Sequence, residues 1–330
     1  MNENFQKQSL FSCFTVADCT KRELHGAPGV SVCIAKGPNV VFNQGFGYSS
    51  IENNSLVKAN TLFRVASISK PITSILFGTL VDMQLAKLSD DIPQLTGHYA
   101  NTRITPDSIL THSSGIRHYI DKEFLSDKAF KTTEEALSIF SSSPLLHEPG
   151  TKYSYSTFAY TLLARAIEMH FSQYFGFDVE FKSLLHTTEG MIDMNSKMPP
   201  HVDCSYKLAG GGILSSSLDL CKFGRHLASI YTGEDSSKGI ISRGTLEQLW
   251  SPAKVEMPKK FKYFNLVCAR GWILALKMDE IFMKQLTMKI LPTKSNNNNG
   301  DASLVIAILA NLDKCSTINE LGANLAKIWS

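Results

Sequence analysis

Two β-rich runs, "GVSVCIAK" (29–36) and "VVFNQGFGY" (40–48), are parted by the turn signal "GPN". Apolar and β-branched residues on either side of such a break predict an antiparallel hairpin. After Ser67 the period changes, because Ile68, Ile72, Ile75, Leu76, Leu80 and Met83 recur at helical spacing and predict a helix with one apolar face. Pro71 falls in its first turn, where a missing N–H is tolerated. Helical patterns then fill the middle of the chain. "TTEEALSIF" opens with Thr132 and Glu135 at capping-box spacing, and "STFAYTLLARAIEMHF" (156–171) turns Leu162, Leu163, Ala166 and Ile167 to one side. "SSSLDLCKFGRHL" (215–227) carries Ser216 and Asp219 in a similar cap arrangement.

Strand patterns return late, in "GWILALKM", "LTMKIL" and "ASLVIAILAN". "STINELGANLAKIW" closes the chain as an amphipathic helix with Ile318, Leu321, Leu325 and Ile328 inward, and "SNNNNG" (295–300) reads as a loop between strands. Strands at both ends of the chain around a helical middle predict an α+β fold. It consists of one antiparallel sheet built from both chain ends and flanked by helices, with an all-helical region inserted in the middle. The sequence shows no internal repeat.

Composition refines this only slightly. With 330 residues, 43% apolar and 19% charged, the chain has the make-up of an ordinary globular protein. A net charge of +3 gives no reason to expect a nucleic acid or an acidic partner. The basic-aromatic run "KKFKYF" (259–264) fits a solvated loop or strand edge better than a phosphate or membrane contact. The seven cysteines, at 13, 19, 33, 204, 221, 268 and 315, are scattered, odd in number and free of C-x-x-C spacing. They indicate neither a disulfide framework nor a zinc site. The longest apolar run, "SLVIAIL" (303–309), falls far short of the ~20 residues of a membrane-spanning helix. The first residues lack a basic start followed by an apolar core, and Glu3 and Asp18 fit a mitochondrial presequence poorly.

The candidate chemistry starts from S-x-x-K, which occurs three times: Ser55 to Lys58, Ser67 to Lys70 and Ser251 to Lys254. Ser55 sits in the turn-like "ENNSLVKAN" and Ser251 precedes Pro252, so only Ser67 stands where a strand passes into a helix. Residues three apart share a helix face, which lets Lys70 lie beside the Ser67 hydroxyl. A lysine acting as a base near neutrality needs its ordinary pKa of ~10.4 lowered by roughly three units, about 4 kcal/mol, through burial and nearby positive charge. A serine at a helix N-terminus also sits among backbone N–H groups that favour developing negative charge. Spacing alone still favours the plainer alternative, a helix cap beside an exposed lysine. A second candidate is "EPGTKYSYSTFAYTLLARAIE" (148–168), where a Pro-Gly turn leads to Tyr155 and Ser156 at a helix entrance. A phenol there can relay a proton to or from Ser67; the plainer alternative is one of ten tyrosines making a buried hydrogen bond. Other chemistries lack their marks. His112 and His118 stand six apart without H-E-x-x-H, no G-x-S-x-G elbow is present, and "AGGG" (209–212) lacks phosphate-loop spacing.

Taken together, "GAPGVSVCIAKG", "GFGYSSIENN", "FRVASISK", "ITPDSILTHSSGIRHY", "PGTKYSYSTFAYTLLARAIE" and "DCSYKLAGGGILSSSLDLCKFG" follow one another in a familiar order. Across roughly residues 24–230 the chain resembles the penicillin-recognising serine hydrolases, the serine β-lactamases and DD-peptidases, and most of all their animal mitochondrial branch. The resemblance implies a β-lactamase/transpeptidase-like fold, with residues 24–330 as the domain, 1–23 as an N-terminal extension and a helical subregion from about 80 to 205. It makes Ser67 the acylated nucleophile, Lys70 its general-base partner and Tyr155 the second-motif tyrosine. Thr157 stands where bacterial relatives usually have asparagine, as in the animal branch, and "AGGG" resembles a tight structural turn of that branch. A peptide or small acyl substrate, no cofactor, a homo-oligomer or filament, and a mitochondrial location are implied in the same way. The lack of a clear presequence leaves the cytosol as the alternative location.

One family feature is missing. The third motif, a histidine or lysine followed by Thr or Ser and Gly on a strand edging the site, has no counterpart, because no histidine follows His226 and "RGWILALKM" runs through "DEIFMKQ" into "LTMKILPTK". Thr293, Lys294 and Ser295 are the nearest chemical substitute, with an asparagine tract in place of the glycine. The stretch between His186 and His201 is also shorter than in the family. In relatives the motif strand supplies an oxyanion donor, whose loss typically costs ~3–4 kcal/mol, and a positive group beside the serine. Two functions follow, an acyl-enzyme hydrolase or a catalytically inactive scaffold.

Overall fold

The computed structural model describes residues 27–120, 123–124, 126–185, 203–233, 239–258, 266–270, 272–275, 280–282, 287–291 and 303–311, with a few positions between 321 and 329. The expected hairpin forms from β1 (Gly29–Lys36) and β2 (Asn39–Ser50), in a register from Gly29↔Gly47 to Lys36↔Asn39 with an irregularity at Ile34/Ala35. β2 is capped at the sheet edge by the two-residue β3 (Ser55–Leu56). A second, two-stranded sheet pairs β4 (Phe63–Arg64) with β5 (Leu214–Ser215). The late strands are β6 (Leu266–Ala269), β7 (Trp272–Ala275), β8 (Glu280–Phe282), β9 (Thr287–Leu291) and β10 (Leu304–Ala310).

β10 pairs with β1 in antiparallel register, from Val30↔Ala310 to Lys36↔Leu304, and so joins the two ends of the chain in one sheet. The order is β3-β2-β1-β10-β9-β8-β7-β6. Both central strands are buried on both faces, which is why they are apolar at nearly every position instead of alternating. The α+β expectation therefore holds, and the sheet also gains β6 and β8, which the sequence pattern did not single out.

Four helices of eight residues or more are described. α1 (Ser69–Asp82) buries Ile72, Ile75, Leu76 and Leu80, and Ile68 just before it is buried as well. Met83, expected on that seam, is instead 40% exposed: the helix ends at Asp82, and Gln84 turns the chain away with φ 60. α2 (Phe158–Phe175) buries Leu162, Leu163, Ala166 and Ile167 as its pattern required, and ends where Gly176 takes φ 75. α3 (Ser217–Thr232) is capped by Ser216, whose Oγ accepts from Asp219 N at 3.1 Å. It packs on the sheet, where Ser217 Oγ meets Ser31 Oγ of β1 at 2.7 Å. α4 (Arg243–Trp250) is tied to the end of α1, because Ser242 Oγ and Thr245 Oγ1 donate to the Asp82 carboxylate at 2.7 and 2.5 Å. Thr132 caps the short helix Thr133–Leu137 through Glu135 N at 3.1 Å.

Between residues 80 and 205 the described residues form helices and turns, with one isolated bridge at Lys152. A continuous core joins the sheet to these helices and includes Leu325 and Ala326 near the chain end. Residues 1–23, the His186–His201 stretch, "KKFKYF", Thr293–Ser295 with the "SNNNNG" tract, and Ile318 and Ile328 lie outside the described residues. Among the described residues, no helix is long and apolar enough to cross a membrane. Cys33, Cys204 and Cys221 are buried free thiols.

Candidate active site

The two-stranded sheet fixes the chain just before Ser67. Val65 N donates to Ile213 O at 3.0 Å, and Ile213 N donates to Ser69 Oγ at 3.2 Å. Ser69 Oγ in turn donates to Ala66 O at 2.7 Å. Ala66 itself holds φ 43, a left-handed backbone that a residue with a Cβ uncommonly adopts. The kink delivers Ser67 in a short turn, Ala66–Ile68, which leads directly into α1 between the buried anchors Val65 and Ile68. Ser67 is left half-buried at the mouth of the site.

One turn further on, Lys70 is only 2% exposed. Its amine donates to Ser67 Oγ at 3.4 Å, to Thr157 Oγ1 at 3.2 Å and to the Gly210 carbonyl. It also lies 4.7 Å from the centre of the Tyr155 ring and 5.4 Å from that of Tyr160. Burial pushes the Lys70 pKa below the ordinary lysine value, against an opposing pull from Tyr155. Tyr155 Oη and Ser67 Oγ stand 2.5 Å apart. Ser67, Lys70 and Tyr155 thus meet in one place, around a single hydroxyl.

The other two S-x-x-K serines lie elsewhere. Ser55 is exposed in edge strand β3, and Ser251 ends α4, donating to Gln248 O at 2.7 Å and accepting from Arg270 Nη1 at 2.8 Å.

Several contacts of the site were not visible in the sequence. The "AGGG" turn, expected only as a tight structural turn, lies against α1, where its Ala209 carbonyl accepts from Thr73 Oγ1 at 2.7 Å and its Gly210 carbonyl accepts from Lys70. A Cβ at Gly210 would stand 2.5 Å from Thr157 Cγ2 and 2.8 Å from Thr157 O, so only glycine lets the turn approach this closely. The glycine run was its only signal. His112 and His118, weighed in the sequence only as zinc ligands, pack around the tyrosine. The His112 ring lies 4.3 Å from that of Tyr155, and the His118 ring stands perpendicular to it at 5.3 Å. Burial and the neighbouring Lys70 hold both imidazoles below the ordinary histidine pKa, His118 at about 4. Among the described residues no group of three or more His, Cys, Asp or Glu could hold a metal ion. On the sheet side, β8 fills the place between β7 and β9, with Ile281↔Ile290 and Phe282↔Lys289 in register.

The arrangement can support proton transfer to and from a serine hydroxyl. Comparison with known proteins gives the family and the fold. A family model described as Beta-lactamase matches residues 16–313. The human serine beta-lactamase-like protein LACTB, mitochondrial, is 25% identical over 342 aligned residues, which cover 72% of this chain and 62% of the relative. The match therefore spans less than two thirds of that relative's length. Two solved structures share the fold. The octameric penicillin-binding protein homologue from Pyrococcus abyssi superposes with a TM-score of 0.71 at 21% identity, covering 96% of this chain and 77% of its own. EstCE1, a hydrolase with promiscuous acyltransferase activity, gives 0.73 at 16% identity and covers 99% and 100%. With a family model running along most of its sequence and this fold beneath it, the chain belongs to the beta-lactamase family.

Proposed function

We propose that the chain is a serine hydrolase that cleaves an amide or ester bond through an acyl-enzyme. One observation carries this reading: Ser67 Oγ lies within hydrogen-bond reach of both Tyr155 Oη, at 2.5 Å, and Lys70 Nζ, at 3.4 Å. Ser67 Oγ attacks the acyl carbon as its proton passes to the neutral Lys70 amine. The C–N or C–O bond then breaks, and the leaving group takes a proton through Tyr155. Water attacks the acyl-enzyme in the second half-reaction, giving up one proton to the same pair of groups and restoring the serine hydroxyl. The buried position of Lys70, which favours its neutral form, supports the role of base. The Ser67 N–H, in the short turn that leads into α1, forms part of the oxyanion site.

The substrate is a peptide or small acyl compound, and no cofactor takes part. A mitochondrial location follows the naming of the LACTB relatives, and self-association follows the octameric archaeal homologue. Residues 24–330 act as one domain, with 1–23 as an extension.

The test is covalent labelling with a fluorophosphonate probe followed by peptide mass analysis. The folded wild type is expected to gain label on Ser67, Ser67→Ala to gain none, and Lys70→Ala to react at least about a hundredfold more slowly. An unlabelled folded wild type, or equal label on Ser67→Ala, ends the proposal. A second reading, an inactive scaffold, is favoured by the absence of H-T-G or K-T-G from "LKMDEIFMKQLTMKIL" (276–291). Ester hydrolysis that disappears in Lys70→Ala would exclude it.

A further inference from the structure

α2 is capped from one residue outside, where Ser156 Oγ accepts from Ala159 N at 3.1 Å. Its N-cap residue is Thr157, and the Thr157 hydroxyl makes no cap bond; it accepts from Lys70 instead. Backbone N–H groups at a helix start need acceptors, and for the two just ahead of the first turn, those of Ser156 and Thr157, imidazoles supply them. Ser156 N donates to His112 Nδ1 and Thr157 N donates to His118 Nδ1, both at 3.3 Å. The same rings pack on the Tyr155 ring, one tilted by 34° and the other perpendicular to it. An imidazole accepts through Nδ1 only when it is neutral and carries its proton on Nε2. The titratable groups facing the pair are Lys70 from α1, Tyr153 and Tyr155 before α2, Tyr160 within it, and Tyr119 beside His118. Lys70 and burial both work against protonation of either ring.

We propose that His118, with His112 behind it, is a positioning residue: its unprotonated Nδ1 takes the Thr157 N–H, so that Thr157 Oγ1 and Tyr155 stay aimed at Lys70 and Ser67. The inference rests on the hydrolase reading for its kinetic test. It separates two jobs of the threonine, whose backbone N–H is held by His118 while its hydroxyl accepts from Lys70 and also meets Tyr119.

The experiment compares His118→Phe, which keeps a ring and loses the acceptor, with His118→Asn, which keeps an acceptor oxygen near the Nδ1 position. Fluorophosphonate labelling is resolved into probe affinity and maximal labelling rate. His118→Phe is expected to lower the maximal rate about tenfold at unchanged affinity, the scale of one lost hydrogen bond, and His118→Asn to stay within about threefold of wild type. Equal rates in wild type and His118→Phe overturn the proposal, as do equal losses in both variants. Should His118→Phe not fold, His118→Leu replaces it; failure of both to fold assigns the ring to packing and also overturns the proposal. Nitrogen-detected NMR of the wild type at neutral pH gives a readout independent of activity. His118 is expected as the Nε2–H tautomer, and a protonated Nδ1 sinks the clamp whether or not the chain labels. A wild type that fails to label while showing the expected tautomer removes the hydrolase reading and leaves the clamp standing.

Discussion

Ala66 and Lys70 show how much of the site is set by single residues. The left-handed backbone at Ala66 costs on the order of 1 kcal/mol, and it is held by the bonds that Ser69 and Ile213 make around it. Lys70 has no room to extend into solvent, and its partners are neutral: two hydroxyls and a carbonyl. Burial therefore lowers its pKa, so the folded chain releases this proton at a lower pH than the unfolded chain, whose lysine titrates near 10.5. Two consequences share one sign. Between the folded and unfolded pKa values the unfolded state binds more protons, so stability rises with pH across that window. The neutral amine, the base of the proposed mechanism, grows in the same direction. The rate of Ser67 labelling is thus expected to rise with pH and to reach half its maximum below pH 10.5, a rise that Lys70→Ala abolishes. A rate that does not change with pH in the wild type would contradict this assignment.

Among the elements, the "AGGG" turn and the start of α2 act as one wedge against α1. Gly210→Ala would drive a Cβ into Thr157 and displace the carbonyl that receives Lys70, whereas a Cβ at Gly211 meets Thr157 Cγ2 at an ordinary 3.8 Å. Gly210→Ala is expected to lose about 1–3 kcal/mol in urea melts and to label more slowly, with Gly211→Ala close to wild type. The hairpin of β1 and β2, the apolar seam of α1, the inward face of α2 and the caps at Thr132 and Ser216 were legible because each is a local pattern. What was not legible is non-local. β4 and β5 are two residues each, so no periodicity marks them, and their pairing joins positions about 150 apart. The glycine run around Gly210 marks a tight turn and no more, and His118 carries no signal of its own; both matter because the fold presses them against Lys70 and Thr157. The meeting of Ser67, Lys70 and Tyr155 lies between these cases. The S-x-x-K spacing suggested its first half, the helix entrance at Tyr155 offered a phenol as a relay beside a plainer structural alternative, and the resemblance to a family joined the two across 88 residues.

For the molecule as a whole, the antiparallel pair of β1 and β10 ties the two sides of the helical middle into one sheet. Asn311 completes the tie, its Oδ1 accepting from Gly29 N at 2.6 Å and its Nδ2 donating to Tyr48 O at 2.8 Å. Ile306→Ala, at a fully buried position in β10, is expected to cost about 2–5 kcal/mol. If sheet and site form one cooperative unit, tryptophan fluorescence and Ser67 labelling will report the same shifted urea midpoint. Two separate midpoints would mean that the helical region holds the site without the sheet. The tie also bears on biosynthesis. Gly29 leaves the ribosome 282 residues ahead of Asn311, which at roughly 5–20 residues per second is a wait of about a quarter of a minute to a minute. Throughout that interval the newborn hairpin has an open, greasy flank and no neighbour to cover it, so chaperone capture in the cell should concentrate on the first two strands.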